Sequence, residues 1–106
     1  MLLLLDENLP KRLKQDFPDF EVHTLHDKGW TGKSNGELLK LMMEEGFDAF
    51  ITFDKNLQYQ QNFTKYPIAV LVLNASDNSY EAVNLLVPHI TDALSKGLKP
   101  GPLEIK

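Results

Sequence analysis

The stretch Leu2-Leu3-Leu4-Leu5-Asp6-Glu7-Asn8-Leu9-Pro10 decides the fold. Four consecutive leucines with no polar alternation read as a strand covered on both faces, the mark of a parallel sheet. The strand stops at two carboxylates, and Pro10 then takes the first turn of a helix that runs to about Phe17, where Pro18 ends it. Open α/β sheets hold ligands outside the carboxyl ends of their strands, so Asp6 and Glu7 stand where a site belongs. The run Ala49-Phe50-Ile51-Thr52-Phe53-Asp54 repeats the pattern, again passing from apolar residues to a carboxylate. Two such strand ends predict one acidic site, and hard oxygen donors suit a divalent cation.

Around these two runs the chain alternates strand and helix. Glu21 to Leu25 predicts a second strand, and Asp27 to Lys33, with Gly29 and Gly32, a loop. Ser34 and Glu37 have capping-box spacing and open a helix whose Leu38, Leu39, Leu41, Met42 and Met43 supply its buried face before Gly46 ends it. Ala49 to Thr52 is a third strand, Gln58 to Phe63 a short helix, and Ile68 to Leu73 a continuous apolar strand. Asn78 with Glu81 predicts the cap of a last helix, which carries Ala82, Val83, Leu86, Ile90 and Leu94 at helical spacing and is kinked or broken at Pro88. Leu103 to Ile105 adds an edge strand. The alternation predicts a three-layer α/β/α domain with a central, mainly parallel sheet of four to five strands and right-handed crossovers.

With 106 residues, 42% of them hydrophobic, the chain reads as one domain over 1–106 that needs no staples. The absence of cysteine excludes disulfides, thiolate zinc sites and cysteine nucleophiles. Met1 to Leu5 is too short for a signal core or a membrane span and lacks a basic flank, so the expectation is a soluble cytoplasmic protein with no membrane partner. A formal charge of −4 opposes nucleic-acid binding by bulk electrostatics. A nucleic-acid role therefore requires a local basic patch or a bound cation. Lys11, Arg12 and Lys14, just after Asp6, offer such a patch, although a solvated helix face explains them equally well. His23 and His26 lack the third histidine or cysteine of a metal site, and His89 beside Pro88 reads as surface or partial core. Trp30 can stack on a base, but a loop tryptophan more often folds onto its own domain.

The run Leu-Leu-Asp-Glu-Asn-Leu-Pro at positions 4 to 10, the glycine-containing loop leading into Ser34 and its helix, and the strand end Ile51-Thr52-Phe53-Asp54 resemble the compact PIN-like nucleases of toxin-antitoxin systems. The likeness extends from Met1 to about Leu73. It implies a magnesium- or manganese-dependent ribonuclease acting on RNA, the toxin of a pair whose cognate antitoxin protein plugs the site, with a homodimer as a permitted assembly. It further implies Asp6 and Asp54 as principal metal ligands and Glu37 as the third catalytic and metal-binding acid, with Glu7 weaker and pointing away. Asn35 and Asn56 occupy two more metal-site positions, and Asn8, Thr52, Lys11 and Arg12 become candidate substrate contacts.

Two departures bear on activity. Relatives of this type carry acids where this chain has Asn35 and Asn56, and an amide oxygen brings no charge, so the metal is expected to bind weakly. Glu37 either compensates or serves as the capping-box acid of its own helix. Two other function classes stand beside the enzyme. One is a catalytically eroded PIN-like module that binds protein or RNA. The other is a receiver-like phosphoacceptor domain, which requires a Lys-Pro after a late strand. Here Lys99-Pro100 follows a helix end, and Asn74 replaces the expected hydroxyl.

Overall fold

In the computed structural model, which describes residues 1–56 and 66–106, the leucine run forms β1 (Leu2–Leu5). It lies between β2 (Glu21–Thr24) and β3 (Ala49–Thr52), and β4 (Ala69–Leu73) and β5 (Gly101–Ile105) continue beyond β3. All four pairings are parallel, giving the order β2-β1-β3-β4-β5. The sheet is thus the upper end of the expected four to five strands and parallel throughout. Register places Leu5 opposite both Thr24 and Ile51, so the carboxyl ends of the first three strands are level.

Alternation sorts the strand side chains into two cores. Leu3, Leu5, Ile51 and Leu71 face one layer, which holds Leu13 and Phe17 together with Val83, Leu86, Ile90 and Leu94. Leu4, Phe50, Val70 and Val72 face the other, packed against Leu25, Trp30, Leu38, Leu39 and Met42. Every residue of β3 and β4 is buried, as unalternated apolar runs require.

Helix α1 (Leu25–Lys28) and helix α2 (Asn35–Glu45) build the second layer. Ser34 caps α2, its hydroxyl accepting from the Glu37 amide, and Gly46 closes it at φ 77°, a left-handed value that glycine adopts without a Cβ penalty. α1 occupies the start of the segment expected to be a loop. Thr24 and Asp27 form a reciprocal capping box, each side chain accepting from the other's backbone amide, which stabilises a single helical turn.

The segment after Pro10 is a 3-10 helix over Lys11–Asp16 rather than an α-helix. Its hydrogen bonds take the 3-10 form, the amides of Leu13 and Phe17 reaching three residues back, to Pro10 and Lys14. The last helical region is two helices, α3 (Tyr80–Asn84) and α4 (Val87–Ser95), with Pro88 in the first turn of the second. The cap of α3 is Ser79, whose hydroxyl accepts from the Ala82 amide, not Asn78. Asn78 donates its side-chain amide to the carbonyl of Asn8 instead, at 2.8 Å. The short helix expected at 58–63 lies outside the described residues.

The crossovers do not share one hand. The connections β2 to β3 and β4 to β5 run toward the same edge of the sheet, yet α2 covers one face and α3 with α4 the other. Since the β1 to β2 connection runs in the opposite direction on the opposite face from α2, it matches β2 to β3 in hand, and the β4 to β5 connection has the opposite hand to both. Burial accounts for it. One six-residue 3-10 helix cannot cover Ile51, Leu71 and Leu73 as well as β1, and α3 with α4 complete that layer.

Candidate active site

The strand order reverses at β1, whose neighbours β2 and β3 lead to opposite edges of the sheet, and such a switch point opens a crevice at the carboxyl ends of the strands. Asp6 stands there. Its amide donates to the Ile51 carbonyl at 2.9 Å, extending the β1–β3 ladder one residue past the strand and fixing the carboxylate against β3. Asp6 is 9% exposed and Thr52, the last residue of β3, is fully buried.

The Thr52 hydroxyl donates to Asp6 Oδ2 at 2.6 Å, and the same oxygen accepts from the Asp54 amide at 3.0 Å. One hydroxyl therefore joins the two acidic strand ends. Asp6 Oδ1 accepts from the Glu7 amide, and Asp54 Oδ1 accepts from the Asn56 amide at 2.9 Å. Asn8 ties the loops together above them, its Oδ1 accepting from the Phe53 amide at 3.2 Å.

Burial pushes the Asp6 carboxyl above its ordinary 3.8, and the charges of Glu7 and Asp54 push the same way, while hydrogen bonds from Thr52 and Glu7 pull it back. The charged form of Asp6 is therefore destabilised, and a nearby cation is the partner that would relieve it.

The expected residues separate into two groups. Asp6, Asp54, Thr52 and Asn8 are connected through the hydrogen bonds above, and Asn56 joins through its backbone amide. Thr52 and the Asn8 side-chain oxygen, assigned to substrate contact, are instead engaged inside the protein: Thr52 is sealed from solvent and Asn8 Oδ1 is held by Phe53. Glu37 is exposed, accepts from the Ser34 hydroxyl at 3.0 Å, and lines a surface cavity with Lys33, Lys40 and Glu44, on the α2 side. Its carboxylate meets the cap's hydroxyl rather than the Ser34 backbone amide, so the reciprocal capping box that the spacing allowed is not formed. Asn35 is the first residue of α2 and half-buried, and no hydrogen bond connects it to Asp6 among the described residues. Arg12 lies over the ring of Tyr80, 4.2 Å from its centroid, turned toward α3. Lys11 borders the same cavity as Asp6 and Glu7. Trp30 is buried against Phe47 rather than presented to a base.

Sequence reading missed a brace. Lys14 Nζ meets Asp27 Oδ2 at 2.8 Å, and that oxygen also accepts from the Thr24 amide at 2.9 Å. The pair links the 3-10 helix on one face of the sheet to α1 at the end of β2. The Lys14 hydrogen bond, with that of Thr24, lowers the Asp27 carboxyl from 3.8 to about 2. The Thr24-x-x-Asp27 capping spacing was the available signal. Lys99-Pro100 leads into β5 and so lies at the amino edge, opposite Asp6.

Fold and site together define a doubly wound α/β protein with two strand-end acids at its switch point, the Thr52 hydroxyl donating to the Asp6 carboxylate and accepting from the Asp54 backbone amide. No family model, curated protein or solved structure matches this chain. Among the described residues, no three His, Cys, Asp and Glu side chains group to hold a metal, and no helix is long and apolar enough to cross a membrane. The donor set that does assemble consists of two carboxylates. Magnesium keeps several waters and can be held through one or two protein carboxylates.

Proposed function

We propose that this chain is a magnesium- or manganese-dependent ribonuclease of PIN-like type, the toxin of a toxin-antitoxin pair, with Asp6 and Asp54 as the residues that hold the ion. The observation that carries the reading is the Asp6–Thr52–Asp54 connection at the switch point, with a 2.6 Å hydrogen bond orienting a buried carboxylate. A metal bound there supplies polarisation of the scissile phosphate and a water of lowered pKa. The protein's own part is positional. Thr52 fixes Asp6, Asp54 is oriented by the Asn56 amide, and Lys11 offers positive charge at the rim. The antitoxin, homodimer and cytoplasmic setting belong to the same proposal and rest on the sequence resemblance alone.

A second reading, the eroded binding module, is favoured by Asn35 and Asn56 standing where acids are expected, and by the finding that no three His, Cys, Asp or Glu side chains group to hold a metal among the described residues. Cleavage of a mixed single-stranded RNA pool by the parent, by Asp6→Asn and by the Asn35→Asp, Asn56→Asp double variant, with and without chelator, separates the two. The nuclease reading expects chelator-sensitive cleavage by the parent, loss in Asp6→Asn, and a gain in the double variant. RNA left intact by all three proteins at millimolar magnesium or manganese refutes it.

A further inference from the structure

We propose that the cavity on the β2 side of Asp6 seats one ribose-phosphate unit of single-stranded RNA, with Lys11 and His26 as its contacts. The inference rests on the nuclease reading for the position of the scissile phosphate and names the side from which the strand approaches. The cavity measures about 220 Å³ and is bordered by Asp6, Glu7, Leu9, Lys11, His26 and Thr31 among others. This is below the roughly 300–1,000 Å³ of pockets that hold drug-sized ligands, so it fits a single sugar or base rather than a dinucleotide.

Its walls come from both layers. Leu9 and Lys11 lie in and just before the 3-10 helix on one face of the sheet, and Leu25, His26 and Thr31 lie in and after α1 on the other. Leu9 and Leu25 are buried and give an apolar floor for the carbon face of a sugar. The Lys14–Asp27 pair ties the two walls, so the backbones bearing Lys11 and His26 are held relative to each other.

Lys11, Lys33, Lys40 and Lys99 carry no ion pair or side-chain hydrogen bond among the described residues, and of these four Lys11 is the one that borders the Asp6 cavity, whereas Lys33 and Lys40 line a cavity on α2 and Lys99 one beside β5. Lys14, Lys28, Lys96 and Lys106 are each paired with a carboxylate, Lys55 donates to Asn74, and Arg12 lies on Tyr80. The Lys11 and His26 side chains are exposed and make no ion pair or hydrogen bond among the described residues. A lysine beside a buried carboxylate, yet not turned onto it, is free to meet a phosphate oxygen. The His26 ring and the Thr31 hydroxyl are hydrogen-bonding groups of the kind that reads a ribose 2′-OH.

Fluorescence anisotropy with a labelled RNA 10-mer in chelator, across a potassium chloride series, tests the assignment in the Asp6→Asn protein. That background lacks the metal-holding acid and removes one repelling charge from the cavity wall. Lys11→Ala should weaken binding about tenfold and reduce the slope of log K against log salt by about 0.7, the single-strand value for one phosphate contact. His26→Ala should weaken binding without that slope change, and Lys40→Ala, on α2, should change neither. The deoxy 10-mer should bind more weakly than RNA, and the gap should narrow in His26→Ala with Thr31→Val. Equal binding of DNA and RNA overturns the ribose assignment, and an unchanged slope in Lys11→Ala overturns the phosphate contact. Chelator-sensitive cleavage by a parent whose KM is indifferent to both variants sinks this inference and spares the nuclease. Binding that depends on Lys11 and His26 without any cleavage does the reverse.

Discussion

Replacing Thr52 by valine tests the core of the site, because it removes one hydroxyl from a fully buried position that links two acids. A hydrogen bond to an ionised group contributes about 1.5–3 kcal/mol, and the Asp54 amide, half-buried, adds about 0.5–1 kcal/mol when it loses its acceptor. The methyl that takes the hydroxyl's place recovers less than about 1 kcal/mol. The net expectation at pH 7 is a loss of about 2–3 kcal/mol from a total of about 5–15 kcal/mol, or a urea midpoint lowered by roughly 1–2 M. Thr52→Ser keeps the hydroxyl and should lose only about 1 kcal/mol. The loss should also depend on pH. Asp6 titrates above 3.8 in the folded protein, so the native state holds the proton more tightly than the unfolded chain and stability falls as pH rises through that interval. Removing the Thr52 hydrogen bond, which lowers the Asp6 value, widens the interval, and the valine variant's deficit should grow from pH 4 to pH 7. Urea titrations at both values decide the matter. A deficit below about 1 kcal/mol at pH 7, or one equal at the two pH values, would refute the assignment of Thr52 as the group that stabilises ionised Asp6.

Asp27→Asn should cost about 1 kcal/mol at pH 7, since a pair exposed to this extent is screened by solvent. The Asp27 value is lowered in the folded state, so the contribution is complete above 3.8 and disappears as pH falls through about 2, and acid titration of parent and variant by circular dichroism should converge there. Leu13→Ala, at a fully buried position in the 3-10 helix, should lose about 2–5 kcal/mol. Leu85→Ala, at a residue 74% exposed, should stay within about 0.5 kcal/mol, and urea titration of the two leucine variants beside the parent checks both values.

The parts of the fold legible in the sequence are those fixed by one property of a short window. Unbroken apolar runs gave β1, β3 and β4, because burial on both faces leaves no polar residue inside the run. The Ser34 and Gly46 ends of α2 were legible for the same reason, each being set by a single residue's backbone or hydroxyl chemistry. What was not legible depended on distant partners. The 3-10 form after Pro10 has no mark in the residues of Lys11–Asp16 that separates it from an α-helix. The reversed hand of the β4 to β5 crossover follows from how little of one face that short helix covers, which no window of sequence contains.

The two acids that ended apolar runs looked equivalent in sequence and are not. Asp6 comes one residue after its strand and keeps a ladder hydrogen bond to Ile51, so it inherits the strand's burial and its fixed backbone. Asp54 comes two residues after β3, outside the ladder, and among the described residues it is held through its amide to Thr52 and its carboxylate to the Asn56 amide. One extra residue past a strand end thus separates a preset, desolvated carboxylate from one able to adjust. If both hold a single cation, Asp6 fixes where the ion sits and Asp54 follows it. Shortening Asp6 to a neutral side chain should then abolish the site, whereas Asp54→Glu, with one more methylene on an adjustable loop, should preserve it.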